Sequence, residues 1–112
     1  MYEYKVKKLI KIVDGDTLDL EIDLGFNISI QERIRLSGID APEIRSSDVV
    51  EREKANASRL SFEQKLKDRK TRILTEKDDK YGRMLGWVYI EEDPVPINTQ
   101  LIKEGLALPY KK

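Results

Sequence analysis

Alternation of apolar and polar residues in two adjacent segments, strict in the first, restricts the fold of this chain more than any other feature. Residues 18–24 read LDLEIDL, and residues 28–36 read ISIQERIRL. A period of two is typical of a β-strand with one buried face, and the intervening residues 25–27 have the composition of a turn, so an antiparallel β-hairpin is predicted. Glu32 interrupts the second apolar set, which predicts a bulge or a strand end near it. The side chains predicted to face inward are Leu18, Leu20, Ile22, Leu24, Ile28, Ile30, Ile34 and Leu36, and those of the second strand predicted to face outward are Ser29, Gln31, Arg33 and Arg35.

The rest of the chain contains segments for three more strands and two helices. The strands are rich in β-branched and aromatic residues, and the longer helix has Ala55, Phe62 and Leu66 on one stripe, with Leu60 off it. The order of three strands, a helix, two strands and a helix predicts an α+β fold, a five-stranded closed β-barrel of the OB type. A chain of 112 residues corresponds to one domain, predicted over residues 1–112. The predicted strands are 4–13, 71–75 and 84–90, and the predicted helices are 48–69 and 97–104.

The composition excludes several classes of chemistry. The chain has no cysteine and no histidine, which excludes disulfides, zinc–thiolate sites, cysteine nucleophiles and imidazole bases. A metal would have to be bound by oxygen ligands, which points to calcium, magnesium or manganese. Lys+Arg and Asp+Glu both count 21, so a site for phosphate must concentrate its positive charge locally.

The sequence also bears on location. No apolar run is long enough to span a membrane, and the first residues, MYEYKVKK, lack the apolar stretch of a secretion signal. We therefore expect a cytoplasmic monomer with no membrane partner, with a processed secreted form as the alternative.

An acidic series runs through the first predicted hairpin. An EF-hand that began at Asp14 would place leucine and aspartate where a ligand and glycine are needed, so that motif is absent. Asp19, Glu21 and Asp23 alternate with apolar residues, which favours a solvated strand face. Asp14 and Asp16 flank the turn glycine, and each could shape the turn or bind a metal.

Two loop segments carry further candidate groups. In the first, Arg35 precedes Asp40-Ala41-Pro42-Glu43: Asp40 could join Asp16 on a hard cation, Glu43 could act as a base, and Arg35 could bind a phosphate. The alternative is a capped loop with a surface salt bridge. The second segment, Asp79 to Arg83, combines two cations with an aromatic ring, as in nucleotide sites. Taken alone, it is more typical of an exposed turn.

The motifs IVDGDT, RIRLSGIDAPE and DKYGR occur in this order, and the chain here resembles the staphylococcal nuclease family from about Leu9 to Ala107. The segment INTQLIKEGLA is similar to the last helix of that family. The resemblance implies an OB-type five-stranded barrel with three helices. It also implies a calcium-dependent phosphodiesterase acting on DNA and RNA.

The same resemblance implies a role for individual residues in binding one calcium ion and a water molecule. Asp16 and Asp40 resemble the carboxylate ligands, and Ala41 stands where the family binds calcium through a backbone carbonyl. Many relatives have threonine at that place, but alanine keeps the carbonyl. Glu43 resembles the residue next to the attacking water.

Contacts to the nucleic acid follow from the resemblance in the same way. Arg35 and Arg83 resemble the two arginines that bind the scissile phosphate. The segment after Glu43 is not lysine-rich as it is in the secreted prototype of the family. With a formal net charge of zero, this predicts weaker binding of long polymers and a shallower salt dependence. The residues that resemble other substrate contacts are Lys80, Tyr81, Leu85 and, as the one tyrosine after the last predicted helix, Tyr110.

Two other functions compete with the nuclease. One is a catalytically inactive OB module that binds single-stranded nucleic acid, and the other is a barrel that binds a protein partner. A module that has lost catalysis normally lacks one or more site residues. The complete set of Asp16, Arg35, Asp40, Glu43 and Arg83 in this chain therefore favours the enzyme.

Overall fold

The computed structural model describes residues 2–41, 47–76 and 84–110. Within them the chain forms seven strands and two helices. The strands are β1 (Tyr2–Asp14), β2 (Thr17–Gly25), β3 (Ile28–Leu36), β4 (Ile39–Asp40), β5 (Thr71–Thr75), β6 (Met84–Ile90) and β7 (Leu108–Pro109), and the helices are α1 (Val49–Leu66) and α2 (Ile97–Lys103).

Five of the strands close into a barrel in the order β1-β2-β3-β6-β5. Antiparallel pairing of β1 with β5 closes one side, and a short parallel pairing of Ile34–Leu36 with Met84–Gly86 closes the other. The predicted five-stranded OB-type barrel is confirmed. The described residues contain two helices, so the family-based expectation of three is not met there, and neither of the two is long and apolar enough to cross a bilayer.

Helix α1 packs one stripe of side chains against the barrel. Asp48 caps its first turn by accepting hydrogen bonds from the amides of Val50 and Glu51. Leu60 lies off the buried stripe and is half exposed, as predicted. The helix ends at Leu66, before the predicted boundary, because Lys67 is extended and Asp68 has a positive φ. The buried residues of the stripe are Ala55, Ser58, Phe62 and Leu66.

A fully buried amide in α2 joins that helix to the parallel closure of the barrel. Asn98 Oδ1 accepts from the Val88 amide at 3.1 Å, and Nδ2 donates to the carbonyls of Ser37 and Gly86 at 2.9 and 3.0 Å. These bonds satisfy backbone groups that would be costly to bury without partners. Asn98 therefore fixes the end of β3, from which the candidate site is built.

The acidic series of β2 is a charged strand face, as predicted. Lysines of β1 lie opposite its carboxylates in register, with Lys11 across from Asp19 and Lys8 across from Glu21. From β3, Arg33 donates from Nε and Nη2 to Asp19 at 2.8 and 3.1 Å. This hydrogen-bonded guanidinium lowers the pKa of Asp19 below its ordinary value. Cross-strand cations therefore account for this face without a metal.

The tip of the β2–β3 hairpin extends beyond the barrel. Leu24, Ile28 and Ile30 were predicted to face inward, but they are substantially exposed, because β3 joins β6 only from Ile34 to Leu36. The predicted bulge or strand end at Glu32 is also wrong, since the pairing is regular there and shifts only between Asp23 and Gly25.

The turn at this tip holds an exposed aromatic residue in a strained conformation. Phe26 has φ 54° and is 97% exposed, and Asn27 has φ 61°, a pair of positive values that a type I′ turn requires and that favours asparagine or glycine. We expect Phe26→Asn to stabilise the protein by about 1 kcal/mol, measured by urea unfolding. Phe26→Ala, which removes the ring but keeps the strain, is the control, and equal stability of the two variants would contradict the prediction.

Candidate active site

The candidate site begins with a close approach between the β1–β2 turn and the segment after β4. A Cβ atom on Gly15 would lie 2.9 Å from Ala41 Cβ and 3.0 Å from Ser58 Cβ. Only glycine allows these three segments to pack at this distance. The packing brings Asp16, the next residue, beside Ala41.

The Asp16 carboxylate is buried and held at both oxygens. The Thr17 hydroxyl donates to Oδ1 at 2.9 Å, and the Ala41 amide donates to Oδ2 at 2.9 Å. Arg35 Nη1 lies 3.3 Å from the same Oδ2. The backbone is fixed as well, since the Leu36 amide donates to the Asp16 carbonyl at 2.8 Å. Asp16 is therefore an oriented acidic group rather than a solvated turn residue.

Arg35 was predicted to face outward, but only 9% of the residue is exposed. Its Nη1 donates to the carbonyl of Ile39 at 3.0 Å and lies 3.4 Å from that of Leu36, and its Nη2 pairs with Asp40 Oδ1 at 3.4 Å. The outer face of β3 is covered here by the small sheet of β4 and β7, which strand periodicity does not reveal. Arg35 therefore faces away from the barrel core that Ile34 and Leu36 enter, as predicted, but it is buried there instead of exposed to solvent.

Asp16 and Asp40 converge on the two terminal nitrogens of one guanidinium, at 3.3 and 3.4 Å. The two carboxylates thus contact the same guanidinium, and carboxylate oxygens are the ligands that a hard cation such as calcium prefers. The Asp40 side chain is 62% exposed and that of Asp16 only 11%, so a cation would approach from the side of Asp40. The described residues contain no group of three or more acidic side chains that could hold a metal.

The end of the described chain forms one wall of the site. Strand β7 pairs with β4, which places Leu108 opposite Asp40, and the Tyr110 amide donates to the Gly38 carbonyl at 2.9 Å. The Tyr110 ring centroid lies 5.8 Å from Arg35 Cζ, within the range of a cation–π contact. Leu85, half-buried in β6, lies in register with Arg35 on β3.

Four of the predicted site residues lie outside the described residues: Glu43, Lys80, Tyr81 and Arg83. The predicted roles of these residues stay predictions. The undescribed segment 77–83 begins after Glu76, whose carboxylate accepts from Trp87 Nε1 and from the Ser37 hydroxyl. This contact joins Glu76, the last described residue before that segment, to Ser37 in the β3–β4 turn.

The structure also assigns a structural role to residues that the sequence reasoning missed. Thr17 and Asn98 both make buried hydrogen bonds that hold the site or its supporting strands. A threonine directly after the turn aspartate was a usable signal, because its hydroxyl can reach a neighbouring group. An asparagine within an apolar helical stripe was the signal for a buried amide.

Comparisons with known proteins identify the family of the chain. A family model described as staphylococcal nuclease homologue matches residues 33–112. The chain is 31% identical to a thermonuclease of Staphylococcus intermedius over 93% of this chain and 57% of that protein. It is also 31% identical to a micrococcal nuclease of Shigella flexneri and to Protein ParB of Escherichia coli, over 93% of this chain and 58% and 56% of those proteins. The chain thus spans little more than half the length of these relatives.

Proposed function

The chain belongs to the staphylococcal nuclease homologue family, and we propose that it is a calcium-dependent nuclease that hydrolyses phosphodiester bonds of DNA or RNA. The observation that carries the proposal is the buried Asp16–Arg35 pair with Asp40 at its exposed side. The names of the relatives, thermonuclease and micrococcal nuclease, support a nucleic-acid substrate.

The residues that would hold calcium are Asp16, Asp40 and the backbone carbonyl of Ala41. Bound calcium supplies positive charge that offsets the charge of the phosphodiester and polarises a phosphate oxygen. Asp16 is prepared for this role because the protein already fixes its carboxylate through Thr17 and Ala41. A metal ligand whose side chain is already held in place loses little conformational freedom when the metal binds.

Arg35 binds the phosphate in this proposal. A guanidinium is a planar fork that matches two phosphate oxygens, and it stays protonated. Asp16 and the Ile39 carbonyl orient the group before substrate arrives. Donors oriented in advance stabilise the charge that develops in the transition state without further reorganisation.

The remaining roles in the proposal rest on family membership. Glu43 would take a proton from the attacking water, and Arg83 would supply a second fork on the phosphate. Lys80 and Tyr81 would contact a neighbouring phosphate. Leu85 and Tyr110 would contact a base, and both lie beside Arg35 in the described residues.

The proposal is tested with purified protein and 5′-labelled single-stranded and duplex DNA and RNA. We expect cleavage in calcium, a loss of at least about a hundredfold in chelator because the metal charge is removed, and full recovery when calcium is added back. Chelator that has been saturated with calcium is the control.

The test distinguishes failure of the calcium requirement from failure of the nuclease activity. Cleavage that persists in chelator would contradict the calcium requirement but not the nuclease. Binding of single-stranded nucleic acid in calcium without cleavage would contradict the nuclease and support the inactive OB module.

A further inference from the structure

The two oxygens of Asp16 have unequal environments. Oδ2 receives the Ala41 amide at 2.9 Å and lies 3.3 Å from Arg35 Nη1. Oδ1 has one donor among the described residues, the Thr17 hydroxyl at 2.9 Å. Each carboxylate oxygen accepts at about two positions, so both positions of Oδ2 are used, whereas Oδ1 keeps one.

We propose that Thr17 is a positioning residue for the metal, and that its hydroxyl holds the Asp16 carboxylate so that Oδ1 binds the cation. The inference rests on the proposed function and deepens it. The terminal torsion of an aspartate side chain is broad, so contacts at Oδ2 alone leave the carboxylate plane free to rotate about that oxygen. A second donor at Oδ1 fixes it.

The strand geometry supports this role. Thr17 lies directly opposite Arg35 in the β2–β3 pairing, and only 8% of the residue is exposed. The side chains of Thr17 and Arg35 therefore share a face of the sheet, and the hydroxyl lies on the same side as the guanidinium that contacts Asp16. Groups that orient a metal ligand in this way commonly change metal affinity by about 10–100-fold when they are removed.

Two substitutions of Thr17 distinguish the effect of its hydroxyl on calcium binding from the effect of its side-chain shape. Thr17→Val keeps the branched shape but removes the hydroxyl, and Thr17→Ser keeps the hydroxyl. Thr75→Val is the matched control. Thr75 is equally buried at 8%, and its hydroxyl donates to the Tyr2 carbonyl at 3.1 Å, a contact on the β1–β5 side of the barrel.

The test is isothermal titration calorimetry, in which the full chain is titrated with calcium chloride to measure the Kd. Circular dichroism establishes that each variant is folded. We expect the Kd of Thr17→Val to rise about 10–100-fold, whereas Thr17→Ser and Thr75→Val stay close to wild type. If Thr17→Val does not fold, Thr17→Ala is measured instead, because it also lacks the hydroxyl.

Each of the other possible results contradicts either the role of Thr17 or the proposed calcium cofactor. If the wild type binds calcium and Thr17→Val binds it equally well, the positioning role is wrong and the proposed nuclease stands. An equal loss in Thr75→Val would show a general effect of losing a buried hydroxyl and would also overturn the role. If the wild type does not bind calcium with or without an oligonucleotide, the proposed cofactor and this inference both fail.

Discussion

Asp40→Asn will cleave single-stranded DNA at least about a hundredfold more slowly than the wild type. Asparagine keeps the shape of the side chain but removes the charge of one of the two carboxylates that meet at Arg35. Because the buried Arg35 keeps its contact with Asp16, and Asp40 itself is largely exposed, stability is expected to change little. Initial rates on a labelled oligonucleotide at saturating calcium measure the effect.

The matched control for this variant is Asp19→Asn. Asp19 is an acidic residue of β2 that pairs with Arg33, so the same chemical change occurs outside the site. We expect its rate to stay close to that of the wild type. A wild-type rate in Asp40→Asn, or an equal loss in both variants, would contradict the assignment of Asp40.

The second large effect is expected for Arg35→Lys. Lysine keeps the positive charge but presents one nitrogen in place of a planar fork. That nitrogen cannot reproduce the contacts that Nη1 and Nη2 make with Asp16, Asp40 and the Ile39 carbonyl. We expect cleavage to fall by about a hundredfold or more, as for the loss of one preorganised donor group.

Calcium titration of the same variant provides a second measurement. The guanidinium shares both carboxylates with any cation at the site, so we expect Arg35→Lys not to weaken calcium binding. Arg33→Lys is the control, since it is the same substitution two positions away on β3, at an exposed fork that binds Asp19. Cleavage by Arg35→Lys at the rate of Arg33→Lys would contradict the phosphate role.

The barrel strands were predictable from local pattern. Leu18, Leu20 and Ile22 are buried on one face of β2, as a period of two requires. The same pattern failed at Ile28 and Ile30, which are exposed at the hairpin tip. Periodicity shows which side chains share a face of the strand. How many of those side chains are buried depends on where the barrel ends, and β3 pairs with β6 only from Ile34 to Leu36.

The candidate site was predictable in part. By local pattern Asp14 and Asp16 were equivalent, and the resemblance to a nuclease family singled out Asp16. In the structure the Asp16 carboxylate contacts Arg35 and the amide of Ala41, and its role as a metal ligand stays a prediction. Both residues are remote in sequence: the β2–β3 pairing brings Arg35 to Asp16, and the close packing at Gly15 brings Ala41 to it.

The sequence by itself determined the chemistry that is available to this protein. Without histidine or cysteine, a metal site must use oxygen ligands, and the alternating segments must form strands. Only the tertiary structure decided that Arg35 is buried, that the Ala41 amide reaches Asp16, and that Tyr110 lies beside the guanidinium. The physical reason is that burial and hydrogen-bond partners depend on contacts between distant segments, which no local pattern encodes.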